Sequence, residues 1–285
     1  MDADETMVGP LRPSAAAVTA AWAARVRAAK EQAERLREVA EPADFYGPMA
    51  RRFAQDPRRT GDACLTRLQE LAERDETWLD IGAGGGRFSL PLALRVRHVH
   101  AVDPSPSMLA VLREGMAAHG IANISLYERE WPMDQPPTVD VALMAHVGYD
   151  IEAFGTFLDA AEASAGRCVV VMRAAVNARA SHVLWPQVHG EARQPYPMLQ
   201  ELLVLLVARG VVPEVTLVDR GSWGYVSRQQ LVDSARRLLG LEPGSAKDRV
   251  LETLVAEQAT ERDGQWELDW TPMPDGIVTW TTERP

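Results

Sequence analysis

The stretch that most restricts what this chain can become runs from Trp78 to Leu109, WLDIGAGGGRFSLPLALRVRHVHAVDPSPSML. Trp78, Leu79 and Ile81 are strand-type apolar residues, and they lead into four glycines, Gly82, Gly84, Gly85 and Gly86. Glycine lets the backbone turn sharply and approach a ligand where a Cβ would clash. A helix is expected from about Arg87, with its unpaired N–H groups at the same place. His98 to Val102 then reads as a second strand ending in Asp103, about 20 residues beyond the turn. At that distance an acidic side chain can hold ribose hydroxyls in nucleotide-binding folds.

Two ligand classes compete for such a turn. A dinucleotide fingerprint wants glycines at relative positions one, three and six, and counting from Gly82 the sixth is Arg87. Asp80 stands two residues before the first glycine. A carboxylate there would repel a pyrophosphate, but it can accept hydrogen bonds from an ammonium, directly or through water. S-adenosylmethionine (SAM) carries that ammonium and no phosphate. In Asp80-Ile81-Gly82-Ala83-Gly84-Gly85-Gly86 and Asp103-Pro104-Ser105 the chain resembles the class I SAM-dependent methyltransferases. The resemblance is specific over residues 77–175 and extends to the rest in layout only. A nicotinamide-linked oxidoreductase and a non-catalytic SAM-binding scaffold are the rival readings.

The repeated alternation of strand and helix independently predicts a parallel sheet with right-handed crossovers. After Ser107–Ala118 (helix) come NISLYERE and TVDVALMA (strands), a crossover helix over 151–163, and the apolar strand RCVVVM at 167–172. The resemblance completes this as a three-layer αβα, Rossmann-like, mostly parallel seven-stranded sheet whose antiparallel last strand is GIVTWTTE. Residues 1–75 would form an N-terminal helical cap and 76–285 the SAM-binding domain, interrupted by a helical insertion at about 221–265. Residues 1–13 read as extended or disordered. Ser14–Val39 reads as a helix with a narrow apolar stripe through Val18, Trp22, Val26 and Ala29, which needs cover from the main domain or from a second copy of the chain.

Ligands on such a sheet bind at the carboxyl ends of the strands. This puts Asp80, Asp103, Glu130 and His146 on one rim. The resemblance implies cofactor contacts from Asp80, Gly82, Ala83, Gly84, Asp103, Pro104, Ser105 and Met108. It also implies an adenine contact from Glu130, with Glu128 as competitor and Trp131 stacking or filling the core edge. Tyr46 could fold over the cofactor or anchor the cap. Arg87 could pair with the methionine carboxylate or sit exposed at the helix start. His146 is the candidate base, with Tyr149 orienting the acceptor; a histidine at that rim without a catalytic role is the plainer alternative. His182, Trp185, His189 and Tyr196 could line an acceptor pocket or pack the cap.

Other properties narrow the partners. A net charge of −10 and pI of about 5.2 argue against a broad nucleic-acid footprint, so a small-molecule acceptor is expected. The cluster Arg51, Arg52, Arg58 and Arg59 reads as a solvated loop. The sequence after the fourth strand, AHVGYD, lacks the Asn/Asp-Pro-Pro-aromatic signature that the resemblance associates with nucleic-acid amino groups. Cys64 and Cys168 make neither a disulfide framework nor a metal site, no apolar run is long enough to span a membrane, and the acidic MDADE start is unlike a secretory signal. A reducing cytoplasm is therefore expected. With only Lys30 and Lys247 against abundant arginine and alanine, the composition suits a GC-rich, bacterial genome.

Overall fold

The computed structural model describes residues 13–174, 180–219, 224–268 and 274–282, with backbone alone at 180–182. The expectation for residues 1–13 falls, apart from Pro13, outside them, as do the His182 side chain and the end of WELDW.

Seven strands form one sheet: β1 (Thr77–Ile81), β2 (His98–Asp103), β3 (Ile124–Glu128), β4 (Val139–Ala145), β5 (Ala165–Arg173), β6 (Glu214–Val218) and β9 (Asp275–Thr281). Their order is β3-β2-β1-β4-β5-β9-β6. Consecutive neighbours from β3 to β5 run parallel, whereas β9 is antiparallel to both β5 and β6. The central strands are buried on both faces, which their continuous Val/Leu/Met runs anticipate. The mostly parallel Rossmann-like architecture is thus present, with its antiparallel last strand.

Helices α3 (Ser89–Ala93) and α4 (Pro106–His119) cover one face, with α2 (Ala63–Leu71). α5 (Phe154–Ser164) and α7 (Leu199–Ala208) cover the other, with the first half of α1 (Ala15–Leu36). A third apolar cluster joins α6 (Ala180–His189), α8 (Arg228–Leu239), α9 (Ala246–Gln258) and the hairpin β7–β8 (Ala259–Arg262, Gln265–Leu268). Ala33 and Leu36, at the far end of α1, pack against it.

The apolar stripe of α1 finds its cover within the chain. Trp22 stacks on Phe154 at 4.4 Å and 7°, and its indole N–H donates to the Ile151 carbonyl at 3.0 Å. Two local expectations needed revision. The helix after the glycine turn starts at Ser89 and lasts only five residues. β3 stops at Glu128, before Glu130. Residues 180–189 are helical despite Pro186, and of the two roles open to Trp185 the structure shows packing, since it is 2% exposed within the third cluster.

Candidate functional site

β1, β2 and β4 lie side by side, and their carboxyl ends form the floor of the site. Gly82 and Gly84 take φ of +77° and +54°, and the Gly82 and Ala83 N–H groups both donate to the Val102 carbonyl, at 2.8 and 3.1 Å. This folds the turn back over the end of β2. The Asp103 carboxylate braces it, accepting from the Gly84 N–H at 2.8 Å and the Ser105 N–H at 2.9 Å. Ser105 then caps α4 by accepting the Met108 N–H at 3.1 Å, and Met108 is buried beneath the turn. Pro104 occupies the first exposed position after β2. Burial pushes the Asp103 carboxyl above the usual range; the Asp44 charge adds to this, and the two backbone N–H groups oppose it.

Asp80 is 2% exposed and accepts a hydrogen bond from the Ser89 hydroxyl at 2.5 Å. Burial pushes its carboxyl up to about 7, with the nearby Asp103 charge contributing and the Ser89 bond opposing. A buried carboxylate this strongly biased toward its neutral form is a place where a cation binds favourably. The ammonium of a methionine moiety meets that requirement.

The amino-terminal segment closes over the turn. Asp44 accepts hydrogen bonds from the hydroxyls of Ser105, at 2.9 Å, and Ser107, and the Ser107 bond holds its carboxyl below the usual range. The 3₁₀ helix Gly47–Phe53 follows, and a Cβ on Gly85 would stand 3.0 Å from the Phe53 Cβ. Phe53 is therefore the aromatic that rests on the turn. Tyr46 lies outside it, 44% exposed, with its ring edge-on to Phe53 at 5.8 Å.

Arg87 is not exposed at a helix start. Its guanidinium pairs with Asp62 at 3.1 Å, the Arg59 guanidinium shares that carboxylate, and the Arg87 side chain is only 16% exposed. It bolts the turn to the start of α2. Glu130 is exposed beyond the end of β3, and Glu128 lies in register with Asp103 across the β2–β3 pair. Trp131 is held by its indole N–H, which donates to the Phe157 carbonyl at 3.1 Å.

At the end of β4, His146 has φ of +59°, and its N–H donates to the Val171 carbonyl at 2.8 Å. The next residue, Val147, touches the glycine turn: a Cβ on Gly82 would be 3.2 Å from the Val147 Cβ. His146 Nδ1 is 3.3 Å from the Tyr149 hydroxyl, and Nε2 is 3.4 Å from Oδ2 of Asp275. Tyr149 Oη also accepts the Arg173 N–H at 3.0 Å. Asp275 is fully buried and sits opposite Arg173 in the β5–β9 register. Neither Asp275 nor Arg173 was singled out from sequence, yet a signal existed. An antiparallel strand begins at the rim where parallel strands end, so the first residue of β9 is a rim residue.

With this geometry in view, the comparisons with known proteins are informative. A methyltransferase-domain family model matches residues 79–162, the segment from the glycine turn to α5. Over that segment the chain is similar to methyltransferase domains. Among curated relatives, the probable cobalt-precorrin-6B C(15)-methyltransferase (decarboxylating) of Methanothermobacter thermautotrophicus is 28% identical over 31% of this chain and 48% of its own length. The 23S rRNA (uracil(1939)-C(5))-methyltransferase of Stenotrophomonas maltophilia is 33% identical over 30% of this chain and 20% of its own. The chain thus spans less than half the length of these relatives. Magnesium protoporphyrin IX methyltransferase from Synechocystis, solved with bound S-adenosylhomocysteine (SAH), shares the fold at a TM-score of 0.51 and 13% identity, covering 63% of this chain and 92% of that one.

Proposed function

We propose that this chain transfers the methyl group of SAM to an oxygen or nitrogen of a small-molecule acceptor. The observation that carries the reading is the buried Asp80 carboxylate, raised to about 7, beside a braced glycine turn and within one loop of the His146 rim. SAM, when bound, supplies an electrophilic methyl on a sulfonium. Asp80 would then receive the ammonium, Gly82, Ala83 and Gly84 the methionine backbone, and Asp103 and Ser105 the ribose, with Pro104 and Met108 shaping the floor. Glu130 and Trp131 would flank adenine. His146 and Tyr149 would face the acceptor. Positioning accounts for much of the rate in such an in-line transfer.

Among relatives that act on RNA, the match covers about 30% of this chain. The arginine cluster favours a small acceptor over RNA, because its charges meet partners within the chain: Arg51 pairs with Glu114, Arg52 lies over Tyr225 and Arg59 pairs with Asp62. We take residues 1–75 as a cap over 76–285, with the insertion at about 221–265 extended by α6. No helix among the described residues is long and apolar enough to cross a membrane. Cys64 and Cys168 are free and buried, which suits a reducing cytoplasm.

Calorimetric titration with SAM, SAH and NAD tests the reading. Binding of SAM and SAH, lost in Asp80→Ala, is expected. NAD binding with no response to either SAM compound would refute it.

A further inference from the structure

We propose that Tyr149, His146 and Asp275 form a proton relay, with Tyr149 Oη meeting the acceptor and Asp275 as the positioning residue; this rests on the methyl-transfer reading above. The two ring nitrogens of His146 face different partners, Nδ1 the Tyr149 hydroxyl at 3.3 Å and Nε2 the Asp275 carboxylate at an ion-pair distance of 3.4 Å without hydrogen-bond alignment. The carboxylate beside Nε2 favours a proton on that nitrogen, which leaves Nδ1 to accept from Tyr149. The Arg173 N–H, donating to Tyr149 Oη, points the phenol proton toward His146. One direction of transfer follows, from Tyr149 to His146, with the imidazolium stabilised by the buried carboxylate. Distances of 3.3 and 3.4 Å are long for hydrogen bonds, as those of proton-transfer groups often are before the acceptor arrives.

The relay also selects an acceptor class. A neutral amine is nucleophilic as it stands and can release its proton after methylation. A hydroxyl must lose its proton as the bond forms, so it needs a base within reach. The acceptor is accordingly a hydroxyl compound. Its oxygen forms the new O–CH3 bond while the S–CH3 bond breaks and that electron pair stays on sulfur. The acceptor O–H proton passes to Tyr149 Oη as the phenol proton passes to His146 Nδ1. The products are the methyl ether, SAH and protonated His146, with the positive charge conserved.

Among the described residues, the groups around His146 are Tyr149 on its own loop, Asp275 on β9 and Arg173 on β5, and the Cys64 thiol of α2 senses the Asp275 charge. The test uses the full chain labelled with ¹⁵N-histidine, long-range proton–nitrogen spectra over pH 5–9, and His146→Gln for assignment. His146 is expected in the Nε2–H tautomer, with its midpoint at least one pH unit higher in wild type than in Asp275→Asn. An Nδ1–H tautomer in wild type, which needs no variant, overturns the relay; so does a midpoint unchanged in Asp275→Asn.

With a mixed panel of hydroxyl and amine compounds, SAH release is expected from hydroxyl compounds. It should fall at least about 100-fold in Asp275→Asn and Tyr149→Phe, with SAM affinity within twofold. Release from amines alone, or hydroxyl turnover undiminished in both variants, overturns the proposal. Failure of SAM to bind at all in the calorimetry above would instead refute the methyl-transfer reading.

Discussion

Asp80 is the residue at which stability and ligand binding are most directly opposed. The unfolded chain releases its proton near 3.8, whereas the folded protein retains it to about 7. Between those values the folded state binds the extra proton, so stability is greatest on the acid side and falls as pH rises. Above about pH 7 the whole cost stands. A gap of about three pH units corresponds to about 4 kcal/mol at 1.36 kcal/mol each. Asp80→Asn keeps an acceptor for the Ser89 hydroxyl and removes the charge. The variant should therefore be more stable than wild type at pH 8, by up to about 4 kcal/mol, with the difference shrinking toward zero near pH 4. Urea unfolding at both pH values measures this. The same substitution should weaken SAM binding at pH 8 by about tenfold or more, since a hydrogen bond to a charged partner contributes about 1.5–3 kcal/mol. An Asn variant less stable than wild type at pH 8, or a gap that does not change with pH, would refute the argument.

Three further substitutions probe the scaffold. Gly86→Ala forces a side chain onto φ +85° and sets its Cβ 2.3 Å from Leu112 Cδ1, so a loss of about 2 kcal/mol or more is expected in denaturant unfolding. Trp22→Ala removes the stack on Phe154 and the bond to Ile151, and should destabilise by about 3–5 kcal/mol. Arg87→Ala should lower stability by about 1–3 kcal/mol by leaving the shared Asp62 carboxylate with one guanidinium, that of Arg59, beside the Leu65 N–H, while SAM affinity in calorimetry stays within threefold.

The sheet was legible because its information is local. Each strand is a short apolar run, each crossover a helical period, and the acids at the ends of β1 and β2 are found by counting from the glycines. What escaped is carried by contacts between distant residues. Asp62 captures Arg87 from 25 residues away, and the Ile151 carbonyl receives Trp22 from 129 away. Nothing in local spacing distinguishes an intramolecular cover for α1 from a second copy of the chain. Pro186 lies inside α6, where proline ordinarily signals a break, although its carbonyl still accepts the Gly190 N–H. Asp275 was overlooked for a geometric reason: attention fell on the last residues of strands, and β9 presents its first.

Helix α1, about 33 Å long at 1.5 Å per residue, has a thermodynamic role beyond covering the sheet. Trp22 and Val26 are buried in the cluster beneath the sheet, while Ala33 and Leu36 pack on the cluster built by α6, α8 and α9. Neither cluster can melt without stripping half of this one helix, and a helix of that length gains most of its stability from packing. The outer cluster and the sheet are therefore coupled through this one helix. Loosening α1 from the outer cluster would reach the His146 rim, through Trp22 and the Ile151 loop, without touching any residue of the site.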